Sequence, residues 1–322
     1  MTRGGIRQIL SLGGALTLAL FTLHCQSSRD NQTASQVPGI QIIGGRGLAP
    51  GQFMRPRAVI CDTDGRLFVI DRSGWVQRLA PDGSPETRWR LPAWDNGTPT
   101  GMTLDDKGNL WVADTHYSRI LVYTPDGEMI LQFGESAPPS GEIGPGQMIF
   151  PTDVALDGRG HVYVTEYGNR VRVLRFTEEG EFIDEWNPRD PETGDDLLMR
   201  PMAIVWEESR GDLLLADSCH HRLVRMSPEG EILESIGHEG TGEGEFRYPY
   251  DVALGPAGEI YVCEWENMRV QRLAADGTFE RSWGGQGREP GELFSPWGVT
   301  VRPDGALVVA DTENHRLQVM AQ

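Results

Sequence analysis

Lysine is almost absent from this sequence of 322 residues. Of its 29 basic residues only Lys107 is a lysine, and arginine supplies the rest. Acidic residues outnumber basic ones at 47, so the formal net charge at pH 7 is −18. A charge of this sign repels phosphate backbones, which excludes nucleic acid as an expected partner. The few positive charges are guanidinium forks, which pair bidentately with carboxylates.

Cysteine is also scarce, and sustained helical periodicity is missing. The four cysteines are Cys25, Cys61, Cys219 and Cys263, and their spacing predicts neither a zinc site nor a disulfide framework. Cys61 and Cys263 occupy strand positions that other parts of the chain fill with Leu or Ala, so we interpret them as small core residues. The missing 3.6-residue period excludes a helical bundle.

The N-terminus lacks an apolar run long enough for a comfortable membrane span. Arg3 and Arg7 precede the apolar residues 9–23, a pattern typical of a targeting segment, here residues 1–25. Cys25 lies where a bacterial lipoprotein is lipidated, and residues 26–38 form a polar tether. His24 stands where a small residue is usual, so cleavage near residue 34 or an uncleaved anchor remain alternatives.

All three readings of the leader place the folded part outside the cytoplasm. We therefore expect an exported protein, periplasmic or at the outer membrane or cell surface, and anchored by lipid at Cys25. Contact with the membrane is expected through this N-terminal anchor alone.

One pattern recurs six times within residues 39–322. Each copy begins at a proline, and the spacing is 43 to 52 residues: Pro56, Pro99, Pro151, Pro201, Pro249 and Pro296. A period of this length indicates a propeller or a solenoid, in which no unit buries its apolar face alone. Each copy contains short β-branched or aromatic runs separated by turn residues, and four antiparallel strands make a propeller blade.

The fourth strand decides the number of blades. An apolar residue closes it in five copies: Trp89, Phe133, Trp186, Ile236 and Trp283. The sixth copy has no such strand after residues 316–320, but residues 41–44 near the N-terminus match 131–134. We predict an all-β, six-bladed β-propeller whose ring is closed by this N-terminal strand in the last blade. The prediction fails if Ile42 and Ile43 do not pair with residues 316–320.

Short signatures near the third strand resemble the NHL repeat family. They are Asn314-His315-Arg316-Leu317 and Asn267-Met268-Arg269-Val270, with looser copies elsewhere. The resemblance covers residues 39–322 and implies a six-bladed propeller. The Trp-Asp ending of another common propeller repeat is missing, because Trp94-Asp95 falls between blades.

An acidic residue ends the second strand of every copy, and an arginine usually follows about five positions later. We predict structural ion pairs here, because a pair that recurs in every repeat cannot be a single active site. The predicted pairs are Asp114 with Arg119, Asp217 with Arg222, Glu264 with Arg269, and Asp311 with Arg316. Glu166 is assigned Arg170, and the first copy has Trp75 where an arginine would stand.

A ligand site is expected at the channel mouth, where loops on a rigid scaffold vary between blades. The candidates follow each proline or each acidic residue: Arg57, Arg72, His116, Tyr167, Tyr250, Trp265 and Trp297. Arginine and aromatic side chains of this kind dominate binding interfaces. We therefore predict a monomeric binding or scaffold module for a protein, peptide or cell-wall glycan ligand.

The alternative is a metal-dependent lyase or hydrolase, as in lactonase-type six-bladed propellers. Among NHL propellers, the peptidyl-hydroxyglycine α-amidating lyase carries three zinc-binding histidines after the blade prolines, and none of the equivalent positions here is histidine. Its catalytic arginine and tyrosine have possible counterparts in Arg72 and Tyr167. The absent histidines favour the binding module.

No cofactor is predicted, although calcium or zinc at Asp153 and Asp251 is a minor alternative. These two carboxylates follow matching prolines and could share a divalent cation or do acid–base chemistry. The simpler interpretation is that each accepts hydrogen bonds from backbone N–H groups. A metal site built from His116, His220, His221 and Cys219 is a weaker idea, because solvated loop histidines are commoner.

Overall fold

The computed structural model of the protein describes residues 37–138 and 142–321. Its strands form six four-stranded antiparallel sheets and one short parallel ladder. The first strand of each sheet contacts the first strands of its two neighbours, so the sheets surround a central channel. The predicted all-β, six-bladed propeller is therefore confirmed. The predicted leader, with Cys25 and its lipid, lies outside the described residues.

The strands follow the chain blade by blade. Strand β1 (Ile40–Ile43) comes first, and blade one contains β2 (Pro56–Cys61), β3 (Leu67–Asp71), β4 (Trp75–Leu79) and β5 (Pro85–Arg90). Blade two contains β6 (Gly101–Leu104), β7 (Leu110–Asp114), β8 (Arg119–Tyr123) and β9 (Met129–Phe133). The parallel ladder of β10 (Glu135–Ser136) and β11 (Gln147–Met148) leads into blade three.

The remaining blades repeat this order. Blade three contains β12 (Phe150–Leu156), β13 (His161–Tyr167), β14 (Arg172–Thr177) and β15 (Phe182–Trp186). Blade four contains β16 (Pro201–Glu207), β17 (Asp212–Asp217), β18 (Arg222–Met226) and β19 (Ile232–Ile236). Blade five contains β20 (Pro249–Leu254), β21 (Ile260–Glu264), β22 (Arg269–Leu273) and β23 (Phe279–Gly284). Blade six contains β24 (Val299–Val301), β25 (Leu307–Asp311), β26 (Arg316–Met320) and β1.

The N-terminal strand closes the ring as predicted. Strand β1 pairs antiparallel with β26, and Ile42 faces Gln318 while Ile43 faces Leu317. In blade five, Trp283 of the fourth strand lies opposite Val270 of the third strand in the corresponding position. Blade six thus gains its fourth strand from the other end of the chain.

The hydrophobic core is divided among the junctions between blades. One cluster joins Ile43 and Leu317 of blade six to Val59 and Val69 of blade one, with the loop residue Phe53 buried among them. Equivalent clusters occupy the other five junctions. Each blade therefore depends on its neighbours for burial, as the repeat period indicates.

Tight turns follow the third strands at pairs of an acidic residue and a glycine, such as Asp82-Gly83. Gly83 has a φ of 88°, in the left-handed region that favours glycine, and the Asp82 side chain accepts the amide of Ser84. Among the described residues, helical structure is limited to 3-10 turns between the second and third strands of three blades: Thr115–Tyr117, Ser218–His220 and Thr312–Asn314. No helix in residues 37–138 and 142–321 combines the length and hydropathy of a membrane span.

Candidate functional site

The blade geometry brings two sets of loops to one face. Because the first two strands of a blade are antiparallel, the start of the first lies beside the end of the second, as Pro56 lies opposite Asp71. Residues after each blade proline and after each acidic residue therefore meet around the channel opening. We call this surface the mouth face.

The acidic residues with arginine partners hold these loops in place. Each predicted pair is in contact, at 2.8 Å for Asp114–Arg119, 3.0 Å for Asp217–Arg222, 2.6 Å for Glu264–Arg269 and 2.7 Å for Asp311–Arg316. In blade four, Asp217 also accepts the amide of Met199, while Arg222 donates to the carbonyl of Leu197. The pair thus ties the loop entering the blade to the end of its second strand.

Blade three departs from the prediction. Glu166 pairs with Arg172 at 2.6 Å, whereas Arg170 contacts Glu185 at 2.7 Å. The loop is one residue longer than in blades two, four, five and six, so the strand register places Arg172 opposite Glu166. In blade one, Asp71 instead accepts the amides of Met54 and Ser73.

Aromatic side chains line one half of the mouth. The guanidinium of Arg57 lies 4.4 Å from the ring centroid of Trp297, within the range of a cation–π contact. Trp297 contacts Tyr250 at 4.7 Å between centroids, and Tyr250 stacks on Trp265 at 5.5 Å. Blades one, five and six thus contribute to one continuous surface.

A second aromatic series lines the other half. His116 of blade two meets Phe150 edge-on at 6.0 Å, and Phe150 stacks on Tyr167 of blade three at 5.2 Å. Arg200, which leads into blade four, lies 5.0 Å from the ring of Tyr167. All six blades therefore supply side chains to what we call the mouth ring: Arg57, Arg72, His116, Phe150, Tyr167, Arg200, Tyr250, Trp265 and Trp297.

The three arginines of the mouth ring have no carboxylate partner. In the described part of the chain, no carboxylate oxygen lies within 4.0 Å of Arg57, Arg72 or Arg200. Burial, and to a smaller extent the charge of Arg72, lowers the pKa of Arg57 to about 10. Burial, followed by the charge of Arg57, also lowers the pKa of His116. The site therefore offers guanidinium groups beside an imidazole that is neutral at pH 7.

Two donors of the mouth ring are shielded. Arg57 Nε and Trp297 Nε1 are inaccessible to solvent and have no hydrogen-bond acceptor among the described residues. Buried donors without an acceptor cost free energy. A ligand oxygen is about as large as a water molecule, so an anion in the mouth ring has to use other guanidinium N–H groups.

A cavity of about 340 Å³ lies between Arg57, Arg72 and His116 and the loop that enters blade two. Gly97 lets this loop lie directly against the histidine. A Cβ atom at position 97 would lie 1.7 Å from His116 Cδ2, and the φ of Gly97 is 146°. The glycine therefore positions the cavity wall.

The structure brings all seven predicted mouth residues to the mouth face, and it adds two that the sequence analysis missed. Phe150 and Arg200 each precede a blade proline, whereas the predicted positions began after it. A large side chain directly before a blade proline is the sequence feature that could have identified this position. Arg55, Arg200 and Tyr248 occupy it with φ between 47° and 58°, a backbone conformation that is costly for non-glycine residues.

Asp153 and Asp251 lie in the channel and link neighbouring blades. Asp153 accepts the amide of Ile204 at 2.9 Å, and Asp251 accepts the amide of Val299 at 2.7 Å. Burial raises the pKa of Asp251 to about 7, and burial together with the charge of Asp251 raises that of Asp153. The second oxygen of Asp251 accepts the amide of Val252 at 2.9 Å, whereas Asp153 Oδ1 has no hydrogen-bond partner among the described residues.

The donor groups present do not fit a calcium or zinc centre. No cluster of three or more His, Cys, Asp or Glu side chains suited to a metal occurs in residues 37–138 and 142–321. His220 contacts Asp217 at 2.8 Å and His221 accepts the amide of Tyr248 at 3.0 Å, so both imidazoles already have partners.

Comparison with family models identifies NHL repeats in three segments, residues 97–123, 246–273 and 295–320. They fall in blades two, five and six. The chain is a six-bladed β-propeller that contains NHL repeats.

Three curated proteins illustrate the similarity. Peptidyl-glycine alpha-amidating monooxygenase B of Xenopus laevis is 27% identical over 51% of this chain and 18% of its own length. A Caenorhabditis elegans protein named "Probable peptidyl-alpha-hydroxyglycine alpha-amidating lyase pgal-1" is 24% identical over 50% of this chain and 43% of its own length. NHL repeat-containing protein 3 of Homo sapiens is 29% identical over 54% of this chain and 51% of its own length. The chain thus spans about half or less of these relatives.

Solved structures share the fold. A streptogramin B lyase superposes with a TM-score of 0.60 at 14% identity, covering 88% of this chain and 97% of that one. An auxiliary nutrient binding protein from Bacteroides ovatus gives 0.63 at 12% identity, covering 88% and 76%. A gluconolactonase-type protein gives 0.59 at 17% identity, covering 86% and 91%. These neighbours include both catalytic and binding proteins, so the fold does not choose between the two functions.

Proposed function

We propose that this propeller is a cell-envelope binding module whose mouth ring holds a peptide by a carboxylate group. The observation that carries the proposal is the pair Arg57 and Arg72, which lacks a carboxylate partner in a chain of net charge −18. A partly buried guanidinium loses hydration, and a carboxylate ligand restores its hydrogen bonds. The ligand thus replaces the missing counter-ion.

The aromatic members of the ring favour a peptide over a small inorganic anion. Trp265, Trp297 and Tyr250 form a connected apolar surface beside Arg57. Tryptophan, tyrosine and arginine are the residues that most often dominate protein and peptide interfaces. The names of the amidating relatives also refer to peptidyl substrates, which supports this ligand class.

A lyase or hydrolase is the second candidate, and His116 is the observation that favours it. Its lowered pKa keeps the imidazole unprotonated at pH 7, and its ring lines the same cavity as Arg57. A neutral imidazole beside a guanidinium suits proton abstraction next to a developing negative charge. In this case the bound peptide is turned over.

The test uses one peptide as its C-terminal free acid and as its amide. Isothermal titration calorimetry should show that the wild type prefers the acid, because only the acid offers a charged group to Arg72. Arg72→Gln should weaken binding of the acid by roughly 10–100-fold, the loss expected for one charge-assisted hydrogen-bonded pair. The amide should bind the variant and the wild type equally.

Arg159→Gln is the matched control. Arg159 is an exposed arginine in the turn between β12 and β13, at the opposite end of the blade, and it contacts Glu208 at 3.2 Å. This variant should bind both peptides like the wild type. Equal affinity of wild type and Arg72→Gln for the acid would contradict the proposal. Conversion of either peptide, with loss of turnover in His116→Ala, would assign catalysis instead.

A further inference from the structure

A second cavity of the mouth face lies between blades six and one and shares Arg72 with the mouth ring. It has a volume of about 890 Å³ and is formed by the loops β1–β2, β23–β24 and β25–β26, together with the start of the loop after β3. Its lining includes Arg46, Arg55, Arg72, Arg288 and Phe294. We call it the seam groove, because it follows the junction where the ring closes.

The seam groove carries unpaired positive charge. Arg46, Arg72 and Arg288 have no carboxylate oxygen within 4.0 Å in residues 37–138 and 142–321. Glu313, the one acidic residue of the lining, is already in contact with Arg55 at 3.1 Å. An acidic protein thus places three guanidinium groups without carboxylate partners around one groove.

The groove leads into the mouth. Arg72 lines both the seam groove and the smaller cavity beside Arg57 and His116. An extended ligand can therefore contact both regions at once. The groove also offers apolar surface, since Leu48 is 59% exposed and Phe294 is half-buried.

We infer that the seam groove binds an acidic stretch of the same peptide whose carboxylate end the mouth ring holds. The inference rests on the proposed function and adds the direction and charge of the ligand. Carboxylate side chains of the peptide pair with Arg46 and Arg288, while its apolar side chains pack on Leu48 and Phe294. A lining that combines guanidinium and apolar groups suits a peptide, whose side chains can supply both carboxylate and apolar partners.

The experiment separates the two regions with four synthetic peptides. All share one C-terminal residue and carry three upstream Glu or three upstream Gln, each as the free acid and as the amide. In the wild type at low salt, the Glu free acid should bind about tenfold or more tightly than the Gln free acid. The difference should shrink at 0.5 M salt, because screening weakens exposed charge pairs.

The double variant Arg46→Gln/Arg288→Gln tests the groove. It should lose the preference for Glu over Gln and keep the preference for acid over amide. Arg159→Gln/Arg189→Gln is the control, because it changes the net charge equally at exposed arginines away from the groove. The control should keep both preferences.

The outcomes distinguish the two proposals. An undiminished Glu preference in Arg46→Gln/Arg288→Gln overturns the groove assignment, even when the acid–amide difference persists. Loss of the acid–amide difference in the wild type, with the Glu preference intact, overturns the mouth proposal alone. Displacement of the Glu peptide by trigalacturonate at lower concentration than by unlabelled peptide assigns the groove to an acidic glycan and overturns the peptide.

Discussion

Two carboxyl groups are buried where neighbouring inner strands meet. Asp153 and Asp251 each accept a backbone amide from the next blade, and Gly101 leaves room for the first of them. A Cβ at position 101 would lie 2.2 Å from Asp153 Oδ1. The side chains therefore act as hydrogen-bonded spacers between blades, in agreement with the simpler of the two interpretations from sequence.

Asp251→Asn should alter the pH dependence of stability. Burial raises the pKa of Asp251 to about 7 from an ordinary value of 3.8, so the folded protein holds an extra proton between these values. The protonated Asp251 carboxyl stabilises the folded state at low pH, and this contribution to the unfolding free energy is lost as the pH rises towards 7. Relative to the variant, the wild type should lose about 1.4 kcal/mol per pH unit in this window.

Denaturant titrations at pH 4.5, 6.0 and 7.5 measure the difference between the two proteins. Asp276→Asn is the control, because Asp276 is exposed and the amide of Thr278 lowers its pKa. The difference in unfolding free energy between the wild type and Asp276→Asn should change little with pH, and any change should be in the opposite direction. A wild-type-minus-Asp251→Asn difference that is constant across pH would contradict the interpretation.

The sequence is informative at this scale wherever a residue type repeats from blade to blade. The acid–arginine pairs and the variable mouth residues follow from that comparison. The pairing of Arg172 with Glu166 could not be predicted in this way. A one-residue lengthening of the loop in blade three moves the partner of Glu166 to a later position. The seam groove could not be predicted either, because Arg46, Arg72 and Arg288 come from separate loops that meet only when the ring closes.

The loop between the second and third strands is the element that connects adjacent blades. Its last residue adopts a left-handed backbone, with φ between 54° and 58° for Ser118, His221, Met268 and His315. His221 accepts the amide of Tyr248, and His315 accepts the amide of Arg55, each in the next blade. The histidine of the repeat signature thus holds the residue before the next blade proline.

His221→Ala should destabilise the protein by about 1–3 kcal/mol, because it leaves the amide of Tyr248 without its acceptor. His221→Gly should cost less, since glycine tolerates the positive φ that alanine disfavours by about 1 kcal/mol. His238→Ala is the control, because the His238 side chain is 75% exposed. Guanidinium chloride titrations should show the largest loss of stability for His221→Ala, a smaller loss for His221→Gly and the smallest for His238→Ala. Equal stability of His221→Ala and His238→Ala would contradict the assignment.

The existence and order of the strands follow from the sequence because turn chemistry and β-branched runs recur six times. The role of the signature histidine does not follow, since its partner is a backbone amide in another blade. Residue spacing within one copy carries no information about that contact. Only the ring geometry brings the two groups together.

At the scale of the whole molecule, stability is shared among six junctions. The cluster between blades six and one contains Ile43, which is 4% exposed, together with Phe53 and Leu317. The four strands of blade six come from both ends of the described chain. Closing the ring therefore depends on a short N-terminal strand.

Ile43→Ala should cost about 2–4 kcal/mol of unfolding free energy, because it leaves a cavity in this junction. Ile130→Ala is the control on the outer strand of blade two, where the side chain is 51% exposed. It should leave stability unchanged within about 0.5 kcal/mol. Chemical denaturation compares the two, and equal effects would show that β1 does not seal the ring.

The closure by β1 also concerns the order in which the protein is made. This strand is synthesised before the blades, yet its partner β26 is synthesised after the other strands. During translation β1 has no native strand beside it, and its edge is open to pairing with other chains. Such a distant pairing is also slow to form, so we expect closure of the ring to be a late folding step. A chaperone that shields residues 40–43 until synthesis ends would raise the yield of folded protein.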